Sequence, residues 1–465
     1  MKIKFLGAVG DVTGSRFLLE GDKSQVLIDC GLYQGRGSRA RNWEKFPAEP
    51  TKIDSVILTH AHLDHCGYLP KLVKEGFKGK IFCTEPTAEI VKITLLDSAK
   101  IQVEDAERKQ RRHEKEGRKG PYPEVPLYTV EDAESVFPLI QAISYKNQTQ
   151  ITDEVKATFY DAGHVLGSSM IELVFDSNGK KIKAIFSGDI GRWDKPILNN
   201  PTTFDEADYV FMETTYGDRL HEEKGPSVEK LQKIIVETVE KGGNIIIPTF
   251  AIERTQELLF HLSQLLREKK IPALPVFVDS PMAINVTEVF KNHVDYFDEE
   301  TRNLINNGNS PFDFPSLKTT RSSEDSRKIN DVKEPSIIMA GSGMCTGGRI
   351  KYHLLSNITR PESTILFVGY QARGTLGREI LERPETVRIL GAMHEVKARI
   401  EKINGFSAHA DREELLKWIS GFKKAPSKIF LIHGEEEVTA SFASFLKEKI
   451  TSEIIIPEYS KEYIL

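Results

Sequence analysis

The densest chemistry in the chain is the run His60-Ala61-His62-Leu63-Asp64-His65. A single buried histidine is satisfied by one hydrogen bond. Three imidazoles and a carboxylate crowded together repel and desolvate one another unless a cation gathers them. On an extended segment His60 and His62 point the same way. Asp64 and His65 fall on the turn that follows and can face a second position. Imidazole and carboxylate without thiolate suit zinc, and manganese or iron less well. The purely structural alternative, in which these groups only satisfy one another, does not account for their density.

One zinc takes four ligands, and a catalytic zinc leaves one position to water. Further ligands must come from elsewhere in the chain. His164, Asp189 and His433 each close a short apolar run. Taken singly, each is more simply a turn former. Taken with the run at 60–65, they complete two coordination spheres.

The elements that must position these groups are brief. Val26-Leu27-Ile28 runs into Asp29, and Ser55 to Leu58 into Thr59-His60. Ala157 to Tyr160 runs into Asp161-Ala162-Gly163-His164, Lys183 to Phe186 into Ser187-Gly188-Asp189, and Lys428 to Ile432 into His433. Each reads as a buried strand of about four residues stopped by a polar one. Strand-end loops on a rigid sheet are where reactive side chains commonly sit. Met1 to Gly7 reads as a first strand. Ile90 to Arg112 reads as a helix that turns basic toward Arg108, Lys109, Arg111, Arg112, Lys115, Arg118 and Lys119, before Pro121, Pro123 and Pro126. A phosphate-backbone contact is one reading of that stretch. The interleaved Glu104, Asp105, Glu107, Glu114 and Glu116 favour the other, a solvated helix end.

The middle reads as a second α/β unit. Strands are expected at Gly243–Pro248, Pro275–Val278, Ser336–Ala340 and Thr364–Val368, with a helix from Glu253 to Glu268. Strands alternating with helices imply a largely parallel sheet. Residues 299–335 are polar and are expected to be loop-like.

The 465 residues imply roughly two to four structural units. A hydrophobic fraction of 39% and a charged fraction of 28% exclude a disordered or fibrous chain. Lys plus Arg is 63 and Asp plus Glu is 68, a net charge of −5, so any surface for nucleic acid must be local. Four scattered cysteines suggest reduced thiols and a cytoplasmic location. No apolar run approaches the ~20 residues of a membrane span, so no membrane partner is expected.

The motif His-x-His-x-Asp-His, with Asp29 before it and His164, Asp189 and His433 after it, resembles the metallo-β-lactamase-fold hydrolases. Glu213-Thr214-Thr215-Tyr216-Gly217, Gly405-Phe406-Ser407-Ala408-His409-Ala410-Asp411 and Ile432-His433-Gly434-Glu435 resemble signature motifs of the β-CASP nucleases. So do Pro248-Thr249-Phe250-Ala251, Asp279-Ser280-Pro281, Gly341-Ser342-Gly343-Met344 and Gly369-Tyr370-Gln371-Ala372. The set spans nearly the whole chain in the family's order. Phe406 to His409 looks like the RNA-processing branch, which contains the endonuclease subunit of the eukaryotic cleavage and polyadenylation machinery and its prokaryotic relatives. Two departures stand out: Glu253 where the family often has Gly, and Gly341 where Ser is common.

The resemblance implies an α/β protein. Residues 1–208 and 396–465 would form an αββα metallo-β-lactamase sandwich, and 209–395 an inserted α/β β-CASP domain. It implies two zincs per chain, one held by His60, His62 and His164, the other by Asp64, His65 and His433, with Asp189 between them. Asp29 would orient a ligand or the nucleophile. His409 would be the general acid, since imidazole titrates near neutrality, and Glu213 would hold its other ring nitrogen. The Gly-rich loop at Gly341–Gly348 could receive a phosphate on its amides through Ser342 and Gly343, with Arg373 and Ser407 adding contacts. A flexible turn is the plainer reading of that loop. The implied reaction is hydrolysis of RNA phosphodiester bonds to 5′-phosphate and 3′-hydroxyl ends in RNA processing or decay. Single-stranded RNA is the expected partner, and the resemblance admits a homodimer. A DNA nuclease of the same superfamily and an inactive RNA-binding scaffold are the competing readings.

Overall fold

The computed structural model describes residues 1–35, 37–117, 124–177, 179–221 and 224–465. The chain divides into two compact units. The first comprises Met1–Asp194, Asn200–Leu220 and His409–Leu465, and the second Lys195–Asn199 and His221–Ala408.

The first unit is built on two seven-stranded sheets. One runs, in spatial order, Glu462–Ile464, Lys2–Phe5, Phe17–Glu20, Gln25–Ile28, Ser55–Ile57, Lys80–Thr84 and Ile140–Ile143. The other runs Glu453–Ile455, Lys428–Ile432, Tyr209–Glu213, Lys180–Phe186, Ser169–Ser177, Val155–Asp161 and Thr149–Gln150. In each sheet, pairing is antiparallel through one half and parallel through the other. The strands are short and rich in β-branched and aromatic residues, so one face of each sheet can be wholly apolar. Those faces meet in a shared core, where Phe5, Phe17, Ile28 and Ile57 from the first sheet pack with Phe159, Phe186, Phe211 and Phe430 from the second. Phe186 and Phe211 stack at 4.1 Å between centroids. The outer face of the second sheet is covered by the helices Arg412–Ser420 and Glu436–Lys447 through Leu415, Trp418, Phe442 and Leu446.

The helix expected at Ile90–Arg112 is longer, Glu85–Glu116, capped by the Thr84 side chain and closed by Gly117 at φ +62°. Its basic stretch is engaged one turn back, with Arg111 on Glu107 at 2.9 Å. That is the solvated helix face. Arg118, Lys119, Pro121 and Pro123 lie outside the described residues.

The second unit holds a six-stranded sheet in the order Leu317–Thr319, Val276–Asp279, Ile337–Ala340, Ile245–Pro248, Thr364–Val368 and Arg399–Ile403. Every pairing in it is parallel. Four of its strands are buried along their whole length, as parallel strands covered on both faces must be. Residues 299–335 are not loop-like. They carry helices at Glu299–Asn306 and Ser323–Lys328 and the edge strand Leu317–Thr319. Their polarity hid capping: Asp298 accepts from Thr301 N and Ser322 from Asp325 N, which satisfies first-turn amides without a long apolar face.

Candidate metal centre

The strands of the first unit end on one polar cluster. Ile28 leads into Asp29, Ile57 into Thr59 and His60, Phe186 into Asp189, and Ile432 into His433. Asp29 and His433 sit at positive φ, +57° and +49°. Non-glycine residues seldom adopt that conformation, and it turns both side chains off the line of their strands. Gly31 lets the chain pass against the helix that carries Asp64, since a Cβ there would stand 1.5 Å from Asp64 O.

His60, His62, His164 and Asp189 form one group of converging donors, and Asp64, His65 and His433 a second. In the first, His60 Nε2 lies 3.0 Å from His62 Nδ1, and His164 Nε2 lies 3.4 Å from the same atom. Asp189 Oδ2 is 3.5 Å from both His60 Nε2 and His164 Nε2. In the second, His65 Nε2 is 3.2 Å from His433 Nε2, and Asp64 Oδ2 is 3.5 Å from His433 Nε2. Asp189 Oδ1 turns to this group, 3.4 Å from His65 Nε2 and 3.6 Å from His433 Nδ1. One carboxylate thus shows one oxygen to each group.

The electrostatics follow. Burial, reinforced by His65, pushes His60 well below the ordinary imidazole value, and burial pushes His62 down to about 4. Burial also opposes charge on His65, but Asp189 and Asp29 outweigh it and hold that imidazole well above its usual value. Asp189, raised by burial, is held well below the carboxylate range by His433, His65 and His60. Asp189 Oδ1 is buried and accepts no hydrogen bond. An acceptor-only oxygen among buried imidazole nitrogens, with no cysteine among the converging donors of the described residues, fits divalent cations of the zinc type.

Asp29 lies behind this cluster. Its Oδ1 accepts from Thr59 N at 2.8 Å, and its Oδ2 stands 2.7 Å from His65 Nδ1. That contact fixes the His65 ring and leaves Nε2 toward the cluster, as a carboxylate behind a ligating histidine does. Glu213 Oε1 accepts from Ile190 N at 2.6 Å and faces His409 Nδ1 at 3.3 Å. Burial opposes charge on His409, yet Glu213 raises it above the ordinary imidazole value. The His409 ring lies 4.5 Å from that of His164.

Ser342, Gly343, Arg373 and Ser407 belong to the second unit. Ser342 Oγ accepts from Gly347 N at 3.3 Å, and Gly343 O accepts from Gln371 Nε2 at 2.9 Å. Arg373 is exposed and Ser407 buried.

Three residues of the first unit escape sequence reasoning. Thr59 touches Asp29, His60 and His65, and its place beside His60 is the signal that could have found it. Thr215 Oγ1 lies 3.2 Å from His433 Nδ1. Arg16, buried over the Tyr68 ring at 4.0 Å, donates to Gly31 O at 2.7 Å and braces the loop after Asp29. A lone arginine just ahead of a strand carries no such signal.

Known proteins align with this arrangement. Residues 18–208 match the metallo-beta-lactamase superfamily domain, 255–380 the Beta-Casp domain, and 393–457 the Zn-dependent metallo-hydrolase RNA specificity domain. A ribonuclease of Thermus thermophilus is 36% identical over 446 residues, covering 96% of this chain and 96% of its own length. An RNase J-like protein of Methanocaldococcus jannaschii is 32% identical, covering 98% of this chain and 97% of its own. The transcription termination factor FttA of Methanosarcina mazei is 32% identical, covering 97% of this chain and 70% of its own. A crystal structure of a protein of unknown function from Enterococcus faecalis shares the fold at a TM-score of 0.55 and 13% identity, covering 100% of this chain and 99% of its own. Resemblance along almost the full length, with all three domain types in order, makes the chain a member of the β-CASP family of metallo-β-lactamase-fold, metal-dependent nucleases.

Proposed function

We propose that the protein is a two-zinc ribonuclease that hydrolyses RNA phosphodiester bonds to 5′-phosphate and 3′-hydroxyl ends, in RNA processing or decay. The observation that carries this reading is Asp189, whose two oxygens face two separate groups of donors. His60, His62 and His164 would hold one cation and Asp64, His65 and His433 the other, with an oxygen of Asp189 available to each group. Bound cations of this kind supply Lewis acidity at a phosphoryl oxygen and make water acidic enough to ionise near neutral pH. Asp29 holds His65 in register through Nδ1. Glu213 holds a proton on His409 Nδ1, which keeps the ring cationic and leaves Nε2 as the donor toward the departing 3′ oxygen. Ser342, Gly343, Arg373 and Ser407 engage the RNA backbone. Relatives whose names state ribonuclease activity support RNA as substrate.

The test is incubation of the purified protein with end-labelled single-stranded RNA and matched DNA, with and without chelator, alongside elemental analysis. RNA cleavage that stops on chelation, with about two zincs per chain, is expected. Preferential DNA cleavage makes the protein a DNA nuclease, and binding without cleavage makes it a scaffold. Cleavage that survives complete metal removal overturns the two-zinc mechanism.

A further inference from the structure

The second unit exposes two large aromatic side chains at the carboxyl end of its parallel sheet, Phe250 at 45% and Tyr370 at 47%. Phe250 follows the strand Ile245–Pro248 and Tyr370 follows Thr364–Val368. These strands are neighbours, paired Ile245 to Thr364 and Ile246 to Ile365, and the same register carries Phe250 toward Gly369. On the other side, Ile245–Pro248 pairs with Ile337–Ala340, which leads into the Gly-rich loop. The carboxyl edge of a parallel sheet is where open α/β folds receive ligands.

The three loops are stitched together. The Phe250 ring lies against Gly343 so closely that a Cβ there would stand 2.9 Å from ring carbons. Gly343 O in turn accepts from Gln371 Nε2 at 2.9 Å, next to Tyr370. Phe250 therefore packs on the Gly-rich loop and Tyr370 stands one residue from the Gln371 tie to it, yet nearly half the surface of each faces water. Exposing two large rings costs hydration free energy, and a packing role would have buried them.

Arg254 stands behind them. It opens the helix Arg254–Arg267, and its side chain is 11% exposed. Its Nε and Nη1 are buried and donate no hydrogen bond. The one carboxylate within 4.0 Å among the described residues, Glu257, lies at that limit. Arg254 Nη2 is 4.0 Å from where a Cβ on Gly369 would be. A guanidinium short of hydrogen-bond acceptors, with Nη2 toward Gly369 beside two exposed rings, suits an anion joined to a flat apolar group. A nucleotide is that combination, because its bases stack on aromatic faces and its phosphate pairs with arginine.

We infer that Phe250, Tyr370 and Arg254 form a nucleotide-binding subsite for single-stranded RNA, with bases stacked on the two rings and a phosphate on the guanidinium. The inference rests on the ribonuclease reading and adds to it the part of the chain that grips bases. Stacking makes the subsite tolerant of sequence, since every base has a π-face.

The experiment measures binding of the metal-loaded full chain to a short single-stranded RNA with cleavage-resistant phosphorothioate linkages, and to an abasic strand of the same backbone. Phe250→Ala and Tyr370→Ala are each expected to weaken binding of the base-bearing strand on the order of tenfold and to leave the abasic strand unchanged. Phe250→Trp restores affinity. Arg254→Gln weakens both strands alike and reduces the slope of the salt dependence by about one. Equal affinity of wild type and both alanine variants for the base-bearing strand overturns the subsite and marks the rings as a face for another kind of partner. Equal losses on both strands also overturn it, since stacking cannot act on an abasic strand. Failure of the wild type to bind either strand overturns the ribonuclease reading itself, a result distinct from the other two.

Discussion

Asp189 is a short side chain with two equivalent oxygens, and both are committed: Oδ2 to His60 and His164, Oδ1 to His65 and His433. Asp189→Asn keeps the volume and removes both the charge and one acceptor. It is expected to lower bound zinc from about two per chain to one or fewer, as read by elemental analysis. Asp29 touches the cluster through the His65 ring. Asp29→Asn is therefore expected to weaken zinc affinity by about 10–100-fold, measured by competition with a chromogenic chelator. His409 stands beside the cluster and is held by Glu213. His409→Ala is expected to reduce turnover by about 10²–10⁴-fold while both metals stay bound. Loss of metal in that variant would move His409 into the coordination sphere.

At the scale of elements, the second unit is held by an interior carboxylate at the end of Val276–Asp279. Asp279 accepts from His353 Nε2 at 2.7 Å, Ser326 Oγ at 2.6 Å, Thr320 Oγ1 at 2.5 Å and Arg349 Nη1 at 2.6 Å. It thereby ties the strand to the edge strand Leu317–Thr319 and to the helices Ser323–Lys328 and Ile350–Asn357. Burial would raise its pKa, but the hydrogen bonds from His353, Ser326, Thr320 and Arg349 hold the carboxyl well below its usual range. The folded value is thus below the unfolded one. Its contribution is complete above the unfolded value, about 3.9, and is lost as pH falls through the folded value. Asp279→Asn is expected to cost about 2–3 kcal/mol at neutral pH, because the Arg349 guanidinium loses its charged acceptor and one carboxylate oxygen is replaced by a donor. The gap from wild type should narrow progressively below about pH 4, as denaturant titrations across that range would show. Glu253 presents a different balance. It stands at φ +67°, a conformation that suits the glycine common in the family, and is anchored by buried Lys195 at 2.8 Å. Lys195→Ala leaves Glu253 buried without its partner.

At the scale of the molecule, the site depends on distant parts of the chain. The strand Lys428–Ile432 pairs with Tyr209–Glu213 and delivers His433 from the last segment of the first unit. Cations that bridge such separated segments bind the folded unit and not the unfolded chain, so they stabilise it by mass action. At free zinc about a hundredfold above Kd this amounts to about 2.7 kcal/mol. Calorimetry of the whole chain is expected to show a transition that falls by several degrees on chelation and recovers with zinc. A transition that ignores the chelator would detach the metal from the fold. No described helix is long and apolar enough to cross a membrane.

Much of the convergence at the candidate site was legible because ligating a metal would need particular atoms. The cluster at 60–65 and the strand-end His164, Asp189 and His433 carry those atoms in residue types that have few other reasons to be dense or buried. The strand at Thr364–Val368 was legible to the residue, since a fully buried parallel strand is an unbroken apolar run. Polar helices such as Glu299–Asn306 were not, because their stability lies in caps and docking and not in an apolar stripe. Which oxygen of Asp189 faces which imidazoles, that Thr59 and Thr215 touch the candidate ligands and Arg16 the loop after Asp29, and that Phe250 packs on the loop to which Gln371 is tied were decided only by tertiary structure. Those relations join residues tens to hundreds of positions apart, and local composition carries no record of a contact that only chain folding creates.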